Sequence, residues 1–315
     1  MKDTLNICYG THKKIAIILL VLVAILWGSS YSTAKFVLSA IPVDIFLTIR
    51  FVLATVFFLL FMAVRTDAAN ALRSLFYATS KGYLTGIILT VIFVFETLGI
   101  YYSQASEAAV LISMCIVFTP IIEFFVLKTK QSPRFVIYLL LSLTGVVFVC
   151  ESKILHFEMS IGAFFILIAA LARACMMVVC RKVLLDESVN VTSLTIVQLF
   201  TVGLASVIWC LFNYSVNDIM PTVLLLQPFH WLSIIYLVVF CTLVAFFAQN
   251  YAVQSISATQ STAILGSEPI FGILFSVWLL NETLTPWQVL GATLILIATY
   301  KIMQPTEPIS QQATG

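Results

Sequence analysis

Ile15-Ala16-Ile17-Ile18-Leu19-Leu20-Val21-Leu22-Val23-Ala24-Ile25-Leu26-Trp27-Gly28-Ser29-Ser30-Tyr31-Ser32-Thr33-Ala34 contains no charged residue. As a helix rising about 1.5 Å per residue it is long enough to cross the roughly 30 Å hydrocarbon core of a bilayer. Comparable runs follow over Val43 to Val64, Gly82 to Tyr102, Ala108 to Leu127, Phe135 to Cys150, Ile161 to Cys180, Val191 to Phe212, Trp231 to Val253, Ala258 to Leu280 and Pro286 to Ile302. At roughly 20 residues each, ten spans take up about two thirds of the chain and leave only short loops. The expected fold class is an all-α polytopic membrane protein with ten transmembrane helices.

Composition excludes the alternatives. The chain is 61% hydrophobic, its mean hydropathy is +1.09, and 16 basic and 14 acidic side chains are spread over 315 residues. Soluble globular proteins run near ~25% charged and ~45–50% apolar. A net charge of +2 offers no basic patch to neutralise phosphates, so a nucleic-acid partner is excluded. Of seven cysteines, Cys115, Cys175, Cys180, Cys210 and Cys241 lie inside apolar runs, where they act as small hydrophobes rather than as a disulfide framework.

With the N-terminus in the cytoplasm, the inner loops and ends hold Lys2, Lys13, Lys14, Arg65, Arg73, Lys81, Lys128, Lys130, Arg134, Arg181, Lys182 and Lys301. The outer side holds only Lys35 and Lys153, with Arg50 and Arg173 inside spans. The positive-inside rule therefore puts both termini in the cytoplasm. The first run exceeds the roughly 7–15 apolar residues of a signal peptide and lacks a small-residue cleavage site, so it is read as retained. Two connections are longer. Asp67 to Ser80 spaces Leu72, Leu75, Phe76 and Thr79 as an interfacial amphipathic helix, and Asn217 to His230 is expected to skim the outer surface.

Sliding the chain on itself by 149 residues brings Ser106 onto Ser255, Ala109 onto Ala258, Pro120 onto Pro269 and Ile121 onto Ile270. Four extra residues in the second copy then bring Pro133 onto Pro286 and Gly145 onto Ala298. Five spans per copy is an odd number, which forces opposite orientations. Such inverted pairs build alternating-access transporters with the substrate at the midplane between them. The expected division is a cytoplasmic N-terminus over 1–14, a first five-helix repeat over 15–150, a second over 151–303, and a cytoplasmic tail over 304–315.

The residues also carry a resemblance. Leu26-Trp27-Gly28-Ser29-Ser30 with Lys35, Ile49-Arg50-Phe51, Ser267-Glu268-Pro269, Leu280-Asn281-Glu282-Thr283-Leu284 and Gly291-Ala292 resemble, in order and spacing, the EamA family of the drug/metabolite transporter superfamily. The likeness runs from about Ile15 to about Met303. It implies two inverted five-helix repeats around a central cavity, and export of amino acids or related metabolites. The chain departs from that pattern at Lys128-Thr129-Lys130, where a glutamate resembling Glu282 is usual, and at Arg173, where an apolar or aromatic residue is usual.

An ionised side chain at mid-bilayer costs ~2.5–3.5 kcal/mol on insertion scales, so each needs a partner, a cavity or neutralisation. Arg50, Glu96, Glu123, Arg173 and Glu268 face that demand. Glu268 and Arg173 lie at similar central depth and are expected to pair across the repeats, either as a purely structural bridge or as a substrate site. Helical spacing puts Ser257, Ser261 and Ile264 on the Glu268 face, with Phe271 and Phe275 beyond. Met176 and Met177 beside Arg173 suit varied ligand shapes. Arg50 is expected to snorkel to the outer interface. Glu96 either meets Arg50 or faces the cavity, Glu123 pairs with Lys128 and Lys130 at the inner surface, and Glu282 makes an outer cap or loop contact. Gln249, Asn250 and Gln254 need protein or water partners. Trp27, placed away from either interface, is either a stacking wall for substrate or core packing. Gly82 and Gly86 form a small-xxx-small packing pair. The candidate substrate-binding set is Glu268, Arg173, Trp27, Ser261, Gln249, Asn250 and Glu96, with no metal and no cofactor.

No His-Glu-x-x-His, Gly-x-Ser-x-Gly or intramembrane aspartate pair is present, and His12, His156 and His230 all lie outside the spans. These absences argue against an enzyme, and the lack of a Gly-rich phosphate loop argues against ATP as the energy source. The expected function is a secondary transporter of a small polar metabolite, an amino acid or related compound moved outward. Proton coupling or counter-solute exchange supplies the energy. The alternatives are uptake or exchange of a cationic metabolite such as S-adenosylmethionine, and a non-transporting membrane scaffold. The expected setting is a bacterial inner membrane, with the protein as a monomer or homodimer.

Overall fold

The computed structural model describes residues 2–65, 68–129, 132–150, 160–280 and 285–303. Lys130, Lys153, His156, Glu282 with its neighbours 281–284, and the tail 304–315 lie outside the described residues. Every regular element among the described residues is helical.

Among the described residues, six stretches are long and apolar enough to cross a membrane: His12–Leu38, Val43–Val64, Leu72–Tyr102, Ile161–Leu184, Val191–Asn213 and Pro228–Ser255. Shorter apolar helices cover Ile112–Leu127, Pro133–Gly145 and Val289–Ile302. The protein is an integral, multi-pass membrane protein of helices. In chain order these are α1 (Lys2–Leu38), α2 (Val43–Arg65), α3 (Ala68–Tyr102), α4 (Ala105–Leu111), α5 (Cys115–Leu127) and α6 (Pro133–Cys150). The second half comprises α7 (Ile161–Leu184), α8 (Val191–Asn213), α9 (Val216–Leu224), α10 (Pro228–Val238), α11 (Ala245–Ser255), α12 (Ala258–Leu265), α13 (Glu268–Leu280) and α14 (Pro286–Met303).

Two runs expected as single spans are broken. A 3₁₀ turn over Ile112–Met114 separates α4 from α5, and Gly266-Ser267 separates α12 from α13. A third irregularity is the π stretch Val239–Val244 between α10 and α11. Non-helical backbone at membrane depth survives only where protein or a cavity receives its polar groups, and all three breaks lie beside the buried polar residues described below. One expected break is absent. The stretch read as an interfacial helix is the first part of α3, which runs 35 residues without interruption. No proline falls inside it, and Lys81-Gly82 costs less than a nucleated restart. Where an outer loop was expected after residue 217, α9 starts in a capping box, with the Asp218 carboxylate accepting from the Ser215 amide and hydroxyl.

Packing pairs the helices in a recurring way. α3 lies against α7, and α1 lies likewise against α10 and α11; α1 lies against α13, and α7 likewise against α5 and α4. α2 packs on α8, and α6 on α14. The breaks follow one register: Ala105 and Ala258, Leu127 and Leu280, and Pro133 and Pro286 bound equivalent elements, each pair 153 residues apart. The 149-residue register read from the sequence differs by four residues in this segment, about one helical turn, and so superposed the same face one turn away.

Helix directions follow from contacts. Lys35 near the end of α1 binds carbonyls at the end of α3, so α1 and α3 run the same way. Gly162 at the start of α7 abuts Tyr102 and Ser103 at that same end, so α7 runs the opposite way. The far end is marked by the ion pair of Lys81 with Asp186. These two ends are termed the Lys35 face and the Lys81 face.

The molecule is apolar outside and buries its central charged groups within an apolar core. Phe57, Leu60, Phe61 and Val64 form an exposed helical stripe on α2, while Arg50, Glu96, Arg173 and Glu268 are buried. That inversion suits a solvent of acyl chains.

Candidate functional site

Where α13 begins, its first turn presents Glu268. The positive end of a helix favours a carboxylate there, and two further donors complete its surroundings. Tyr31 Oη of α1 donates to Oε1 at 2.6 Å, and Arg173 Nη1 of α7 donates to Oε2 at 2.9 Å. Glu268 is 1% exposed, so desolvation makes both partners necessary. The Arg173 guanidinium lies over the Trp27 ring, 4.5 Å from its centroid, a cation–π contact strengthened by burial.

Trp27 is held in turn by the π stretch. Its Nε1 donates to the Cys241 carbonyl at 2.9 Å, and Cys241 Sγ donates to the Leu26 carbonyl at 3.2 Å. A π turn leaves backbone carbonyls out of the α register, and here one of them receives the indole. The same stretch supplies Thr242, whose hydroxyl accepts from Arg50 Nε at 2.9 Å and donates to the Leu237 carbonyl. Phe93 lies under the Arg50 guanidinium at 5.0 Å, and Phe246 packs against both Trp27 and Phe93.

These groups enclose a central cavity lined by Trp27, Arg50, Phe93, Glu96, Arg173, Met177, Phe246 and Gln249. Its free volume is about 10 Å³, room for roughly one water, so the conformation is closed around its polar centre. A second, open space of about 460 Å³ lies on the Lys35 face, between the α1–α2 turn and the ends of α3 and α8. Tyr101, Tyr102, Trp209, Tyr214 and Asp44 are among its walls.

Of the residues singled out from the sequence, Glu268, Arg173, Trp27, Glu96 and Gln249 come together at this centre. Asn250 and Ser261 do not join them. The Asn250 side chain donates to Thr195 Oγ1 and Gln198 Oε1 on α8, and Ser261 Oγ returns its proton to the Ser257 carbonyl of its own helix. Gln254 sits at the Lys81 face, where its carbonyl accepts from Arg181. Arg50 does not snorkel: it is 5% exposed and lines the cavity, because Thr242 and Phe93 receive it. Glu123 is buried rather than interfacial. Its carboxylate caps α12, accepting from the amides of Ala258 and Thr259 and from the Thr259 hydroxyl. Gly82 and Gly86 pack against Leu194 and Thr201 of α8.

Sequence reasoning passed over Tyr31, Phe93, Phe246 and Thr242. Tyr31 had a usable signal, one helical turn beyond Trp27 on the same face. The π stretch that brings Thr242 inward had none, since nothing in Val239–Val244 marks a change of pitch.

The chain matches the EamA-like transporter family twice, over residues 14–150 and 160–304. It belongs to the EamA-like transporter family. Among its relatives, an uncharacterized transporter of Archaeoglobus fulgidus is 29% identical over 289 residues, covering 92% of this chain and 86% of that protein. The uncharacterized transporter YcxC of Bacillus subtilis is 27% identical over 209 residues, 65% of this chain and 66% of that protein. A solved crystal structure shares the fold with a TM-score of 0.69 at 15% identity, over 90% of this chain and 94% of its own. The EamA membership and these relatives make the protein a membrane transporter.

Proposed function

We propose that the protein is a secondary transporter of a small zwitterionic metabolite, an amino acid or related compound, working by alternating access between inverted repeats over 15–150 and 151–303. Ten spans are assumed, with the broken segments Ala105–Leu127 and Ala258–Leu280 counted as one each. The observation that carries the substrate class is a pair of opposite charges at the cavity wall that are not bridged to one another. Arg173 and Glu268 satisfy one another, while Arg50 and Glu96 face the same cavity and make no ion pair among the described residues. A ligand carrying one carboxylate and one ammonium complements those two charges, and the aromatic walls exclude water around it.

Basic-residue bias favours the cytoplasm for both termini and the Lys81 face and the outside for the Lys35 face; the setting in this reading is a bacterial inner membrane. Export then means loading at the Lys81 face and release beside the open space at the Lys35 face. Energy comes from a proton gradient or from exchange with a counter-solute.

A second reading, handling of a cationic metabolite such as S-adenosylmethionine, is favoured by that open space. Its aromatic walls and the buried Asp44, whose described polar partners are the Ile45 amide and the Asn213 side chain, suit an organic cation.

Counterflow in proteoliposomes tests both. Uptake of labelled amino acid driven by internal amino acid supports the first reading, and counterflow of S-adenosylmethionine alone supports the second. Absence of flux for both solutes with a stable, correctly inserted protein overturns both substrate readings.

A further inference from the structure

Two basic residues tie down the ends of helices other than their own. Lys35 Nζ, at the end of α1, donates to the carbonyls of Ile100, Tyr101 and Ser103 at 2.8 Å each. Arg181 Nη1, at the end of α7, donates to the carbonyl of Val253 at 2.7 Å and to that of Gln254. The correspondence holds residue by residue. Lys35 and Arg181 each precede the last residue of their helix by three positions, Leu38 and Leu184. Ile100 and Tyr101 sit two and one positions before the end of α3, and Val253 and Gln254 sit two and one before the end of α11.

An ordinary cation at a helix C-terminus comes from the last turn of that same helix. Here it comes from a packed neighbour, and it fastens that neighbour to a corner. On the Lys35 face the corner joins α3 to the broken helix α4–α5; on the opposite face it joins α11 to the broken helix α12–α13. The fastened helices carry the central residues, Trp27 and Tyr31 on α1 and Arg173 on α7. Both attachments are made in the conformation whose central cavity is closed.

We propose that Lys35 and Arg181 are a symmetry-related pair of gate latches, one for each face of the membrane, released in turn as the cavity opens to that face. This inference rests on the alternating-access reading above. Opening on the Lys35 face draws the α3–α4 corner from the end of α1 and breaks three charge-assisted hydrogen bonds, while the Arg181 latch holds the other face shut. The reverse opening breaks the Arg181 contacts and keeps those of Lys35. A rocking protein needs a penalty at each face that the other conformation does not carry, and latches at opposite faces supply it.

Hydrogen exchange on the full-length protein in nanodiscs tests this, with flux measured separately in proteoliposomes. In Lys35→Met, exchange is expected to rise by about tenfold over 36–47 and 98–104 and to fall over 177–190 and 250–258, because the population shifts toward opening on one face. Arg181→Met is expected to give the mirror image, and the double variant to restore the wild-type balance. A cation serving only as a local cap loosens its own corner and leaves the opposite face unchanged. Loosening confined to the substituted corner, or faster exchange at both faces, overturns the proposal. Should Lys35→Met fail to insert, Lys35→Gln carries the same comparison. Reciprocal exchange without flux of any tested solute would count against the transport reading and leave the latches standing, whereas flux without reciprocity removes the latches alone.

Discussion

Arg173 of α7 and Glu268 of α13 meet Nη1 to Oε2 at 2.9 Å, and the Tyr31 hydroxyl occupies the other carboxylate oxygen. A carboxylate so enclosed cannot lose its partner cheaply. Glu268→Gln and Arg173→Met are each expected to lower stability by about 3–5 kcal/mol, the usual cost of leaving one buried charge unpaired. The double variant is expected to recover most of that loss yet to remain without flux. Thermal unfolding of the three proteins in detergent, compared with counterflow, checks both parts. Recovery of flux in the double variant would mean that the pair is purely structural.

Arg50 and Glu96 are expected to behave differently, since neither has an ion-pair partner to abandon among the described residues. Arg50→Gln and Glu96→Gln should leave insertion and thermal stability near wild type while weakening amino-acid binding. Loss of one charge-assisted contact of about 1.5–3 kcal/mol corresponds to roughly a 10- to 150-fold rise in Kd. Ligand-induced thermal shift gives the measurement. Unchanged affinity in both variants would remove the zwitterion assignment.

Gly28 marks the tightest crossing of α1 and α13. A Cβ added there would stand 2.5 Å from Phe271 Cβ and 2.8 Å from the Gly272 amide nitrogen. Neither neighbour is a flexible side-chain tip. Gly28→Ala is expected to destabilise the protein by about 1–3 kcal/mol through overpacking, and by displacing α13 to disturb the Tyr31–Glu268 bond. Thermal unfolding and counterflow of the variant check this.

Away from the spans, α9 carries a pH-sensitive start. Hydrogen bonds from the Ser215 hydroxyl and amide hold the Asp218 carboxyl below its ordinary range. A depressed folded value means the ionised form stabilises the helix above the ordinary carboxylate range, and the contribution is lost as pH falls through it. Amide exchange over 216–224, corrected for its intrinsic pH dependence, is therefore expected to quicken on acidification toward pH ~3 relative to pH ~7. Ser215→Ala should show that faster exchange already at neutral pH.

Much of the fold was legible because bilayer physics constrains it so strongly. Charge-free runs such as Ile15 to Ala34 leave a helix as the available way to satisfy the backbone. The scarcity of charges at central depth likewise singled out Glu268 and Arg173 before any contact was known. Depth alone misjudged Arg50 and Glu123. Both lie near enough to a span end to reach an interface, and both turn inward because Thr242 and the open N-terminus of α12 receive them.

Gln249 and Asn250 show where sequence stops. They are adjacent, equally polar and both buried, yet the first lines the cavity and the second donates to Thr195 and Gln198 of α8. Successive helical residues differ by about 100° in direction, and on a helix enclosed by protein either direction is chemically acceptable. The amino-acid sequence by itself determined that the chain is a helical membrane protein and that Arg173 and Glu268, charged at central depth, need partners inside it. Which of the buried groups converge was decided by helix rotation, by the π stretch and by the breaks at Ile112–Met114 and Gly266-Ser267. Those features depend on neighbours distant in the chain, so local preference does not encode them.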